Sequence, residues 1–183
     1  MRSHRKAMYQ GNTNEPVKDY GGEPFVTNLK NEALRNNNFL RALWTGKHLQ
    51  VTLMSINPKG DIGVEVHPHV DQLQYIERGT GLVQMGNSPK NLTFQRRVSE
   101  NSAILIPSGT WHNTINTGST PLKLFSVYAP PEHPKGTVYK TKYDESSVNS
   151  QENVEAVNAP VGPENIENVN APVGPDNQAD NVQ

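Results

Sequence analysis

The chain has 183 residues, of which 33% are hydrophobic, 7% aromatic and 19% charged, with no cysteine and a formal net charge of −1. No run approaches the roughly 18 to 20 consecutive apolar residues that a membrane-spanning helix needs. The basic opening Met1-Arg2-Ser3-His4-Arg5-Lys6 has no apolar stretch behind it, so neither a membrane span nor a secretory leader is expected, and the cytoplasm is the default location. Without cysteine there are no disulfides, thiolate metal sites or cysteine nucleophiles, and any metal ligand must be His, carboxylate or amide.

Residues 1–37 read as an irregular polar arm followed by one short helix. Gly11, Pro16, Gly21, Gly22 and Pro24 interrupt the arm, with Pro24-Phe25-Val26 as its expected anchor. Leu29, Ala33 and Leu34 fall near one face of a helix between Asn28 and Asn37, with Thr27 or Asn28 as its N-cap. Residues 38–143 alternate short runs rich in Val, Ile, Leu, Thr, Phe and Tyr with Gly, Pro, Asn and Ser punctuation, an all-β signature. Strands are predicted near 39–45, 48–56, 62–68, 72–78, 81–86, 91–97, 102–106, 111–116 and 121–129. Strands this short and numerous predict a sandwich, barrel or jelly roll, and a small closed one surrounds a single interior suited to a small ligand.

Charge divides the chain more sharply than its sum suggests. Every Lys and Arg lies at or before Lys142, so residues 1–143 carry 17 basic against 10 acidic side chains, +7, and residues 144–183 carry 8 acidic ones, −8. The last segment has no aromatic residue and repeats Glu152 to Pro163 as Glu164 to Pro175, Pro-Gly-interrupted and polar. Such a composition predicts a disordered acidic tail, either a solubilising extension or a docking segment. The basic residues of the folded part are scattered, with no recognition helix or stacking platform, so nucleic acid is not an expected partner.

In Val64-Glu65-Val66-His67-Pro68-His69, a strand would point Glu65, His67 and His69 to one face. The stripe reads either as metal ligands or as the polar outside of a half-buried strand, and a third ligand is needed to favour the first. His112 supplies it, following an apolar strand and a Pro107-x-Gly109 turn.

The spacing Pro107-x-Gly109-x-x-His112-x-x-x-Asn116 resembles the second motif of the cupin superfamily, with Asn101 where that motif opens on Gly. The segment from Gly60 to Gly81 resembles the first motif, so the resemblance spans about residues 60–116. It implies a double-stranded β-helix, the cupin jelly-roll barrel, with His67, His69 and His112 projecting inward as ligands of a divalent metal ion: Zn, Fe, Mn or Ni. The family's fourth ligand is Glu, and on the register His69-x4-Gln74-x6-Gly81 its place is taken by Gln74. A carboxamide removes one negative charge and holds a hard divalent ion less firmly. Glu65 is then a recruited ligand, a catalytic acid or base, or a structural group near the barrel mouth. Glu77, beside the Arg78-Gly79-Thr80-Gly81 turn, is expected to be solvated.

Gln50, Thr52 and Met54 share the inward face of their strand, as pocket lining or as core packing. His133, in a Pro-rich loop after the last long strand, is expected as a lid or substrate contact, His48 as an exposed residue, and Trp111 and Tyr75 as core. Two functions are compatible with this pattern. One is a metal-dependent enzyme, an isomerase or dioxygenase, acting on a small oxygen-rich substrate with Glu65 moving a proton. The other is a non-catalytic small-molecule-binding or structural protein. The chain is similar to small single-domain bacterial cupins labelled mannose-6-phosphate isomerase-like, and the family suggests a homodimer.

Overall fold

A computed structural model describes residues 18–144. The predicted helix is α1 (Leu29–Arg35), and its N-cap is Asn28, whose side chain accepts a hydrogen bond from the Asn31 N–H at 3.0 Å. At the other end the buried Lys123 ammonium donates to the Asn36 carbonyl and to Asn37 Oδ1, satisfying a carbonyl the helix leaves open. Ala33 packs on Leu43 and Leu53, with Leu29, Val51 and Phe125 around them. The helix therefore covers part of the outer face of a sheet.

Nine strands build the rest of the described chain: β1 (Leu40–Thr45), β2 (Gln50–Ile56), β3 (Asp71–Arg78), β4 (Thr80–Gly86), β5 (Phe94–Ser99), β6 (Ala103–Ile106), β7 (Trp111–Asn116), β8 (Leu122–Ala129) and β9 (Val138–Tyr139). They form a six-stranded antiparallel sheet in the order β6-β3-β8-β2-β1-β9 and a three-stranded one, β5-β4-β7. This is the all-β jelly roll expected from the punctuation of the sequence.

Register places the interior in tiers. Gln50 is opposite Tyr128, which is opposite Gln72; two residues along, Thr52 is opposite Ser126 and Ser126 opposite Gln74; two further, Met54 is opposite Leu124 and Leu124 opposite Ile76. All nine side chains are buried, as alternation along three neighbouring strands requires of the face turned inward. The apolar end is closed by a cluster that includes Leu40, Ile56, Leu122 and Ile104.

Three expectations are corrected. Residues 62–68 are not a regular strand: the segment touches β7 through isolated bridges, Asp61 to Ile115 and Glu65 to His112. Gly63, at φ +111, leaves extended geometry, and Pro68-His69 turns the chain away. The short β9, paired to β1 through Tyr139 and Leu40, went unpredicted because two residues show no periodicity. The arm is fixed by Asp19 rather than by Pro24-Phe25-Val26, of which Val26 is 97% exposed. The Asp19 carboxylate accepts from the N–H groups of Gly21, Thr45 and Gly136 and from the Thr45 hydroxyl, at 2.6 to 3.0 Å. Residues 1–17 of the arm and, beyond Asp144, the acidic tail expected to be disordered lie outside the described residues. Among the described residues no helix is long and apolar enough to cross a membrane.

Candidate metal centre

Although 60–67 is not a strand, its backbone runs along β7. Glu65 and His112 exchange both main-chain hydrogen bonds at 2.9 Å, which sets their side chains next to one another. The Gly109 N–H, in the Pro-x-Gly turn before β7, donates to the His67 carbonyl at 2.8 Å and fixes the third member. Glu65 Oε1 lies 3.2 Å from His112 Nε2 and 3.5 Å from His67 Nε2, and the ligating atoms of the three residues fall within 4.8 Å of one another.

The outward nitrogens explain why the inward ones point where they do. His112 Nδ1 is 2.9 Å from the Thr110 carbonyl, which can only accept, so Nδ1 carries a proton. His67 Nδ1 is 3.0 Å from a carboxylate oxygen of Glu132. Both rings thus present Nε2 to Glu65, and in their neutral forms two lone pairs would face a carboxylate. Only a cation in the middle, a proton or a metal ion, makes that favourable. His67 Nε2 is moreover buried without a hydrogen-bond partner.

Burial pushes the Glu65 carboxyl up, but His112 and His67 outweigh it and bring its pKa down to about 2. Burial likewise opposes charge on His67, yet the close contact with Glu132 and the attraction of the Glu65 and Glu132 carboxylates raise its pKa to about 9.

Of the residues singled out in the sequence, the structure brings together Glu65, His67 and His112. His69 stays outside: it sits exposed in the Pro68-His69 turn, where strand alternation no longer applies. This corrects the register. The spacing assigned to His67-x-His69-x4-Gln74-x6-Gly81 also fits two residues earlier, as Glu65-x-His67-x4-Gln72-x6-Gly79. Gly79 has φ +102 at the tight β3–β4 turn, as the closing glycine of such a pattern should. Gln72 stands beside Tyr128, whose ring meets His67 edge-on at 5.7 Å, and both of its amide atoms are buried without partners. Gln74 lies one tier deeper, its Oε1 accepting the Thr114 hydroxyl at 2.7 Å and its Nε2 unpartnered.

Gln50 does not line a pocket freely. Its Oε1 accepts from the N–H groups of Glu132 and His133 at 3.2 and 2.9 Å, and its Nε2 donates to the His133 carbonyl at 2.7 Å and the Thr45 hydroxyl at 3.0 Å. It anchors the loop that delivers Glu132 to His67. Glu132 is the functional residue that sequence reasoning missed; its signal was its place beside His133 in the Pro-rich loop. His133 packs edge-on against Tyr128 and Tyr139, at 5.3 and 6.3 Å, with Nε2 buried and unpartnered, and burial lowers its pKa. Thr52 faces the interior with an unpartnered hydroxyl. His48 is exposed, whereas Glu77, expected in solvent, is buried and its pKa is raised by burial.

Comparison with known proteins agrees with this architecture. The profile of the cupin domain matches residues 52–128. The chain is 60% identical over 128 residues to the uncharacterized protein YrkC of Bacillus subtilis, covering 70% of this chain and 69% of YrkC. It is 41% identical over 115 residues to the uncharacterized protein L612 of Acanthamoeba polyphaga mimivirus, covering 62% and 70% respectively. The crystal structure of BH2720 from Bacillus halodurans superposes with a TM-score of 0.71 at 59% identity, covering 72% of this chain and 99% of that one. A double-stranded β-helix protein from Klebsiella pneumoniae shares the fold at a TM-score of 0.50 and 19% identity, over 65% of this chain and all of the other. With both motifs, the antiparallel double sheet and these relatives in agreement, the chain belongs to the cupin superfamily.

Proposed function

We propose that the protein binds one divalent metal ion through Glu65, His67 and His112, with the Gln72 carboxamide in the fourth position, and acts on a small oxygen-rich molecule at that ion. One observation carries the reading: both imidazoles have Nδ1 committed to acceptors, Glu132 and the Thr110 carbonyl, and both turn Nε2 towards Glu65 Oε1. Outer acceptors that fix ring orientation in this way are characteristic of metal-binding histidines. The donor set of two nitrogens and one carboxylate suits Zn, Fe, Mn or Ni, with open positions for a ligand. A bound ion would polarise a carbonyl or enediol oxygen.

The protein's own groups have separable roles. Of the three roles that the sequence left open for Glu65, ligand, acid or base, and structural group, this reading takes the first. Glu132 accepts from His67 Nδ1 and orients the ring, and Gln50 holds the Glu132 backbone in place. Isomerase and oxygenase chemistry both fit such a centre, and the metal decides between them. The mannose-6-phosphate isomerase-like label draws no support from the site, because no Lys or Arg among the described residues is both buried and turned inward; buried Lys123 caps the helix on the outer face. The expected homodimer is part of the same proposal and is checked by light scattering of the eluted protein.

The test is the metal content, by elemental mass spectrometry, of protein purified without affinity tag or chelator. The reading expects about one ion per chain, lost in His67→Ala and His112→Ala and retained in His69→Ala. No metal after reconstitution with each of the four ions, or equal loss in His69→Ala, overturns it and favours a non-catalytic barrel.

A further inference from the structure

Below the metal centre the barrel holds a set of polar atoms that no protein group satisfies. Thr52 Oγ1, Ser126 Oγ and Gln74 Nε2 are buried and without hydrogen-bond partners, and both amide atoms of Gln72 are in the same state one tier above. They are not scattered. Thr52 is opposite Ser126, and Ser126 opposite Gln74, on the inward face of three adjacent strands. Buried polar groups are normally paired, and a row of them without a protein partner calls for one that is not protein.

Their chemistry restricts that partner. The two carboxamides and two hydroxyls offer donors and acceptors together, and none is charged. No Lys or Arg among the described residues is both buried and inward-facing: Lys123, the buried one, points outward to Asn36. The charges at the site are Glu65 and Glu132, which together would balance a divalent ion. An anionic group reaching into the tier itself would surrender its hydration and meet no cation there, since the proposed ion is held above it and its charge is offset by those two carboxylates.

We propose that the tier of Thr52, Gln74 and Ser126, which lies below the Gln72 carboxamide, is the ligand subsite, and that it takes an uncharged small molecule bearing hydroxyl, carbonyl or amide groups, rejecting carboxylates and phosphate esters of the same skeleton. This rests on the interior reading above and specifies the substrate class for the proposed metal centre. It makes the ion the handle for one oxygen of the ligand and the neutral tier the reader of the rest.

The test compares matched pairs, oxamide against oxalate and dihydroxyacetone against its phosphate, by ligand-observed saturation-transfer NMR on the full chain, metal-free and zinc-loaded, with zinc per chain measured in each sample. The expected result is binding of an uncharged member, with its charged counterpart weaker by about tenfold or more. Thr52→Val, which keeps shape, and Gln74→Met should each weaken that binding by about fivefold or more while zinc content stays that of the wild type. Equal or tighter binding of the anion overturns the proposal. So does wild-type affinity in both variants, and so does failure of every member to bind, which would leave the open atoms to water. Loss of zinc from the wild type with the neutral preference intact in metal-free protein would instead refute the metal centre and leave the subsite standing.

Discussion

The two ends of the barrel interior are made by the same strands and differ in one respect, whether their polar groups are satisfied. At the closed end β2, β3 and β8 turn Met54, Ile76 and Leu124 inward, and the polar side chain there, Asn116, is fully engaged: its amide donates to the carbonyls of Ile56 and Thr120 at 2.9 and 2.8 Å, and its oxygen accepts from the Gly118 N–H at 2.9 Å. At the other end the same strands present Gln72, Gln74, Thr52 and Ser126 with atoms left open, below the cluster of Glu65, His67 and His112. Four residues along a strand thus separate polar groups that hold the fold from polar groups left without a protein partner. Buried polarity by itself does not mark function; buried polarity without a protein partner calls for water, an ion or a ligand to satisfy it.

Substitutions at the two ends should fail in opposite ways. Leu124→Ala at the closed end should cost about 2 to 5 kcal/mol by denaturant unfolding and leave metal affinity unchanged. His112→Ala should abolish metal binding, read by elemental analysis. If Leu124→Ala released the metal as completely as His112→Ala, the two ends would not be separable.

A smaller effect is expected from the group behind the site. Glu132→Gln keeps shape but loses the charge that orients His67, and should weaken metal binding by about 10 to 100-fold in a competition titration against a chelator, without changing the stoichiometry. Gln72→Glu should strengthen it, whereas Gln74→Glu, one tier deeper, should not; the reverse outcome would restore the register read from His69.

That register is where sequence legibility stopped. The inward row of β2, Gln50, Thr52 and Met54, was readable because alternation fixes the face, and His67 and His112 were readable from motif spacing. The ambiguity between Glu65-x-His67 and His67-x-His69 was not, because a shift of two residues preserves the face and the motif spacing fits both ways. What decides it is local: Gly63 and the Pro68-His69 turn end extended geometry and carry His69 into solvent. Glu132 was illegible for a different reason. It comes from a loop, and its position depends on Gln50, distant in sequence, holding that loop through four hydrogen bonds, two of them to Glu132 and His133 N–H groups.

Asn116→Ala should cost about 1 to 3 kcal/mol, since it leaves two carbonyls and an amide unpaired. Thr52→Val should be near neutral for the metal-free protein, because the hydroxyl it removes bonds no protein group. Equal destabilisation by both would erase the contrast between the ends.

The mildest effect is on pH. The contribution of Glu65, whose pKa falls from 4.5 to about 2, is present above pH 4.5 and fades as pH drops towards 2. That of His67, whose pKa rises from 6.5 to about 9, is complete below pH 6.5 and fades as pH rises through 9. Metal-free protein should therefore be most stable between about pH 4.5 and 6.5 in thermal melts. Glu65→Gln should flatten both flanks.

Crystals soaked in zinc and measured at the zinc absorption edge test the central claim directly. The account predicts one anomalous peak about 2.0 to 2.2 Å from His67 Nε2, His112 Nε2 and a Glu65 oxygen. A peak on His69, or none within reach of His112, would contradict it.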